Sequence, residues 1–178
     1  HFGRRNPRHE YYIDGAKLQT TDAAKDLGIT IRNDCDTTQH VHDISKKAHV
    51  ILTQIKRSVC YRDTVVLPKI YKTFVRPTLE YAAQVWNPSK IADVKTLEKV
   101  QRRAMRLVNF NEGKSYEEKL QATGLPTLEA RRKRGDLLET FKIINGFSPL
   151  ESSKFFNHVD CGLWSHVVQE LPVSCHYR

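Results

Sequence analysis

The sequence predicts a mainly α-helical fold with a small β-hairpin element at its amino-terminal end. Three observations lead there. Beyond residue 36, apolar residues recur at three- and four-residue steps, the period of an amphipathic helix. The strand-like stretches, a hairpin pattern at 11–18 and an extended run at 27–31, fall within the first 31 positions. Stop signals at Asn87-Pro88, Gly124 and Asn145-Gly146 cut the remainder into separate helices.

Taken in order, Tyr11-Tyr12-Ile13, a turn at Asp14-Gly15 and Ala16-Lys17-Leu18 read as a hairpin. A second extended run covers residues 27–31. Asp36 is placed to cap the first helix, with Gln39 as its capping-box partner. Val41, Ile44, Ala48, Ile51, Leu52, Ile55 and Val59 form that helix's apolar stripe, opposite His42, Lys46, His49, Lys56 and Arg57. A second helix is expected over residues 63–86, kinked or broken at Pro68 and Pro77, with Tyr81 and Trp86 in the core.

The third helix, residues 91–108, sets Ile91, Val94, Leu97, Val100, Ala104 and Leu107 against Lys95, Lys99, Arg102, Arg103 and Arg106. Glu98 and Arg102 are spaced i,i+4, so a charge pair should offset part of the repulsion. Ser115 and Glu118 make a capping box for a fourth helix that Gly124 ends. Pro126-Thr127 opens a fifth, which carries Arg131, Arg132, Lys133 and Arg134 and then Leu137, Leu138, Phe141 and Ile144. Periodicity fades after Gly146, and residues 148–178 read as a weakly structured tail.

Charge bounds the partners. The 178 residues carry a net +9 with a pI near 9.5, which favours nucleic acid first and an anionic membrane surface second. No apolar run approaches the roughly 20 residues of a membrane span, and no signal peptide is visible. Cys35, Cys60, Cys161 and Cys175 form no C-x-x-C, so they read as free thiols of an intracellular chain, nuclear or cytoplasmic and not secreted. A start at His1 rather than Met suits a fragment or processed product.

Catalytic constellations are missing: the chain has no G-x-S-x-G, no H-E-x-x-H and no P-loop. Asp34 and Asp36 are the nearest thing to a metal-binding carboxylate pair, but Asp36 has a capping role beside a helix start. Cys161, His166, Cys175 and His176 lack the paired spacing of a zinc site. The candidates that remain are cationic: Lys46, Lys56 and Arg57 on one helix, Lys99, Arg102, Arg103 and Arg106 on another, Arg131, Arg132 and Arg134 on a third. Such rows either neutralise phosphates and release counterions or are simply solvated faces; arginines clustered within two turns favour phosphate binding. Arg76 suits an ion-pair role.

Six pieces fall in a particular order: DLGITI (26–31), KKA (46–48), YKTFVRPTLEYAAQVWNP (71–88), LEKVQRRAMR (97–106), SYEEKL (115–120) and LEARRKRGDLLETFKIINGF (128–147). In order and spacing they resemble the reverse transcriptase of non-LTR retrotransposons, the LINE class, in its jockey-like branch, over about residues 1–157. HFGRRNP (1–7) looks like the stretch just after that family's last palm motif. The resemblance implies the end of the palm with a primer-grip-like hairpin at 1–34, a thumb-like helical bundle at 35–110, a post-thumb helical segment at 111–147 and a divergent tail at 148–178.

It further implies an RNA/DNA primer–template duplex as partner, together with the missing palm domain of the same polyprotein. The family's Tyr/Phe-x-Asp-Asp box and endonuclease are not in this sequence, so Mg²⁺ would be held by parent residues outside it. The chain by itself would have no cofactor and no catalysis. Gly162-Leu163-Trp164-Ser165-His166 departs from the Thr-Arg-Gly-His-like stretch usual there, as frameshift, decay or divergence would produce. The competing readings are a helical protein–protein interaction module and a non-functional retroelement remnant.

Overall fold

A computed structural model describes residues 1–3, 6–108 and 113–156 and divides the chain into two compact units, His1–Lys133 and Arg134–Arg178. Both are mainly helical among the described residues, with strands only near the amino-terminal end. No described helix is long and apolar enough to cross a membrane.

Two antiparallel hairpins open the first unit. β1 (Tyr12–Ile13) pairs with β2 (Ala16–Lys17) across Asp14 and Gly15, at φ of 49° and 78°. Two left-handed residues in succession make the tight turn that matches strand twist. β3 (Ala23–Asp26) pairs with β4 (Ile29–Arg32) in the same way, with Leu27 and Gly28 at φ of 45° and 86°. The extended run expected at 27–31 is therefore half turn and half strand. Its partner β3 is Ala-Ala-Lys-Asp, which has no strand propensity of its own and is extended through pairing.

Helix α1 (Thr38–Ser58) buries Val41, Ile44, Ala48, Leu52 and Ile55, with Ile51 and Val59 partly covered. The expected capping box does not form. Asp36 lies one residue too early: its Oδ1 accepts from the Thr38 amide at 3.2 Å, while Gln39 turns along the helix to Asp43 at 3.0 Å. At the other end Arg62 donates to the carbonyls of Lys56 (2.7 Å) and Val59 (3.0 Å), satisfying acceptors left over by the last turn.

The long second helix is a broken rod: α2 (Val66–Ile70), a π turn (Tyr71–Val75), α3 (Arg76–Glu80) and α4 (Ala83–Trp86). Pro68 causes no kink, because it lies in the first turn of α2 where a missing N–H has no helical partner to lose. Pro77 does have an effect. It cannot donate four residues back and its ring crowds that carbonyl, and the preceding turn widens so that the Arg76 amide reaches Tyr71, five residues back. Ala82, at φ 50°, ends α3; Trp86 then buries against the core with its Nε1 on the Tyr81 carbonyl at 2.8 Å. Tyr81 itself is 60% exposed and not in the core as expected, because the break at Ala82 turns it outward.

Helix α5 (Ile91–Leu107) runs through the middle of the first unit. Leu97, Val100, Ala104 and Met105 are fully buried, and the buried face also takes in Gln101 and Asp93. Ile91, expected on that face, is exposed. Each large apolar side chain so buried contributes on the order of 2 kcal/mol. Gln101 is the hub of a buried network: its Oε1 accepts from the Tyr71 hydroxyl at 2.8 Å, and its Nε2 donates to the Tyr116 hydroxyl at 3.2 Å and the Pro126 carbonyl at 3.0 Å.

Helix α6 (Tyr116–Thr123) starts with the anticipated capping box, Ser115 Oγ accepting from the Glu118 amide at 3.2 Å and Glu118 returning to the Ser115 amide at 2.6 Å. Gly124, left-handed at φ 61°, ends it. Helix α7 (Leu128–Ile144) begins in the first unit, where Thr127 Oγ1 caps the Ala130 amide at 3.1 Å, and finishes in the second. In the second unit Gly146 stops it, with the Phe147 amide reaching back to the Lys142 carbonyl at 2.8 Å. Leu137, Leu138 and Phe141 are exposed there, and Phe141 stacks on Phe147 at 6.2 Å. A 3₁₀ turn covers Ser152–Lys154. Cys161, His166, Cys175, His176 and the departing stretch after Gly162 lie outside the described residues.

Candidate nucleic-acid interface

Helices α1 and α5 run parallel. Near their starts Thr38 Oγ1 donates to Asp93 at 2.8 Å and Lys90 reaches Asp36 at 2.7 Å; eleven to fifteen residues on, Arg103 meets His49 and Thr53 at 3.3 and 3.4 Å. An arginine can only donate, so the His49 Nδ1 is the acceptor. Burial, then the Arg103 charge, hold the His49 pKa below its ordinary value, which keeps that acceptor neutral at physiological pH. Asp36 is held down to about 2, first by Lys90 and then by Thr38.

Folding sorts the charges of α5. It carries two acids, and both turn inward. Asp93 is buried against Thr38; Glu98 accepts from the Tyr116 hydroxyl at 2.5 Å and the Leu128 amide at 3.1 Å. The Glu98–Arg102 pairing expected from i,i+4 spacing is thereby replaced, and Arg102 lies over the Tyr116 ring with its guanidinium carbon 4.7 Å from the centroid. Lys95, Lys99, Arg102, Arg103 and Arg106 all stay exposed. Lys99 and Arg106 face solvent, Arg103 leans towards α1 and Arg102 towards α6.

On α1, Lys46, Lys56 and Arg57 are exposed, and stepping by three and four from His49 and Thr53 puts them on the side that meets Arg103. The structure thus brings Lys46, Lys56, Arg57, Lys99, Arg103 and Arg106 onto one band across two packed helices. His49 and Thr53, which link its halves, were not among the sequence candidates; their place in the 42–46–49–53 step was the available signal.

The third group is divided. Arg131 forks onto Glu80 at 2.5 and 3.0 Å, with Arg76 also 3.6 Å from that carboxylate, so Arg76 is the ion-pair partner its setting suggested. Arg132 is buried, its Nε donating to Asn87 Oδ1 at 3.2 Å. Both are engaged in holding α7 to the α3–α4 region. Arg134 is exposed and belongs to the second unit.

Asp34 is forked by Arg32 at 3.1 Å and Asp36 is taken by Lys90 and Thr38. Among the described residues no three His, Cys, Asp or Glu side chains gather as metal ligands. Cys35 and Cys60 are free and exposed. Comparison with protein-family models, with curated proteins and with solved structures finds no match.

Proposed function

We propose that this chain is the carboxy-terminal part of a LINE-type RNA-directed DNA polymerase and that α1 and α5 grip the RNA/DNA template–primer duplex in the manner of a thumb. The catalytic palm and its Mg²⁺ belong to the missing part of the polypeptide, so the chain by itself binds without turnover. The observation that carries this reading is the charge sorting on α5: both acids inward, all five cations outward, against a parallel α1 that adds three more. Seventeen helical residues at about 1.5 Å rise extend roughly 25 Å, about seven base steps of duplex. Exposed cations on two rigid helices attract phosphates without reading sequence, which suits a surface along which a duplex must slide.

The Arg32, Lys90 and Arg131 ion pairs lie outside this band, so its cations stay available to a ligand. The test is fluorescence anisotropy with an RNA–DNA hybrid. The Lys99→Ala/Arg103→Ala chain should bind at least tenfold more weakly, while Lys69→Ala/Lys72→Ala, on the α2–π-turn rod, should bind as the parent does. Equal loss from both pairs would reduce the band to unspecific net charge.

The protein-docking reading has one observation of its own: Phe74, Tyr81 and Val85 are each at least 60% exposed on the second helical stretch. Such residues suit contact with the missing palm and are not part of the basic band, which stays open to a duplex.

A further inference from the structure

Arg102 is a cation of α5 that leaves the duplex band for a neighbouring ring. It lies across Tyr116 at 4.7 Å, and the ring below it is fixed: its hydroxyl donates to Glu98 at 2.5 Å and accepts from Gln101 at 3.2 Å. A guanidinium laid on an immobile ring has lost most of its rotamer freedom before any ligand arrives. Its outward face borders a cleft of about 200 Å³ between α5 and α6, lined by Arg102, Met105, Arg106, Tyr116 and Lys119. The lining thus joins a preset planar stacking surface, a polarizable thioether and two further cations. A row meant only for phosphates needs no fixed plane; a lysine would serve as well.

We infer that this cleft takes a single unpaired nucleotide, its base stacked on the Arg102–Tyr116 pair and its phosphate held by Arg106 and Lys119. Stacking on a planar cation or ring tolerates every base, and neighbouring Lys and Arg supply the phosphate contacts. Arg106 belongs to both surfaces, so the cleft continues the duplex band: paired strand over α1 and α5, unpaired strand turning down between α5 and α6. The inference rests on the duplex-binding reading for its ligand class, and the test separates the two.

Two labelled probes are compared on the intact chain: a blunt RNA–DNA hybrid, and the same hybrid with a short single-stranded extension carrying 2-aminopurine at its first unpaired position. The extended probe should bind about tenfold more tightly, with its fluorescence quenched by stacking. Arg102→Lys, which keeps the charge and loses the plane, should abolish that preference and the quenching. Arg103→Ala should weaken both probes by the same factor and leave their ratio intact. A thermal melt of each variant confirms that it folds.

Equal affinity for both probes without quenching overturns the cleft and leaves the duplex band standing. Binding of the extended probe and of its extension as a free single strand, with no affinity for the blunt hybrid, supports the cleft and overturns the duplex reading. Retention of the tenfold preference by a folded Arg102→Lys chain overturns the assignment. No binding to any probe overturns both.

Discussion

Replacing Gln101 by alanine should be among the most damaging single changes in the first unit. The side chain is fully buried and its amide joins α5 to the π turn, to α6 and to the loop before α7. Truncation strands the Tyr71 hydroxyl, on a residue 1% exposed, and the Pro126 carbonyl. A buried polar group left without a partner costs roughly 1–3 kcal/mol, and the vacated volume adds a cavity term, so the loss should be about 3–5 kcal/mol. That is a large part of the roughly 5–15 kcal/mol typical of a domain. Tyr116 softens the loss because Glu98 still holds its hydroxyl. Tyr71→Phe removes one hydroxyl and should cost about 1–2 kcal/mol by leaving the Gln101 oxygen unmatched. Since the two residues share that bond, the double variant should fall short of the sum by about 1 kcal/mol or more. Urea unfolding followed by circular dichroism measures all three. A Gln101→Ala loss below about 0.5 kcal/mol, or strict additivity with Tyr71→Phe, would refute the network as the link between these helices.

Three further outcomes are expected. His40 is buried against Trp86 and its Nδ1 accepts the Thr30 amide at 3.2 Å; burial holds its pKa below the usual value near 6.5, and of the nearby charges Asp43 opposes this while Lys47 and Lys25 add to it. The unfolded chain then binds more protons than the folded one as pH drops below about 6.5, so stability should fall over that window and be fully present above it; His40→Asn should flatten the dependence of the urea midpoint, and an unchanged slope would count against it. Leu27 is left-handed at φ 45° and 81% exposed, so Leu27→Asn relieves backbone strain at little loss of burial and should raise stability by about 1 kcal/mol, read as a higher urea midpoint; a lower midpoint would show that Leu27 packs. Glu80→Gln weakens the fork from Arg131 and the contact with Arg76; with Arg131 37% exposed, solvent screening limits the loss to about 1 kcal/mol, and an unchanged melt would make the pair ornamental.

Local signals were the legible ones. Ser115 with Glu118, Gly124, Asp14-Gly15 and the 41–44–48–52–55 stripe each depend on neighbours within a few residues, and each formed as read. What the sequence hid depends on partners far along the chain. Gln101 belongs to neither the apolar nor the cationic row of its helix, and its partners are 15 to 30 residues away. Glu98 sits i,i+4 from Arg102, but an amide 30 residues on offers a buried partner that a solvated arginine cannot match. Arg131 and Arg132 read as a binding cluster, and the helix rotates them onto Glu80 and Asn87. The strand β3 has no propensity signal at all, and Tyr81 left the core because a left-handed Ala82 interrupts a periodicity that would otherwise bury it. For the candidate band, periodicity gave each row of cations; only packing showed that two rows share one surface.

The central claim is that the band across α1 and α5 holds a template–primer duplex through its phosphates. Its most direct test is the affinity of the intact chain for an RNA–DNA hybrid as a function of salt. Six exposed cations, Lys46, Lys56, Arg57, Lys99, Arg103 and Arg106, predict a slope of log affinity against log salt near −5, equivalent to about a thousandfold loss between 50 and 200 mM. Removing Lys99 and Arg103 together should bring that slope to about −3.5. A slope near zero, or one that Lys99→Ala/Arg103→Ala leaves untouched, would contradict the account.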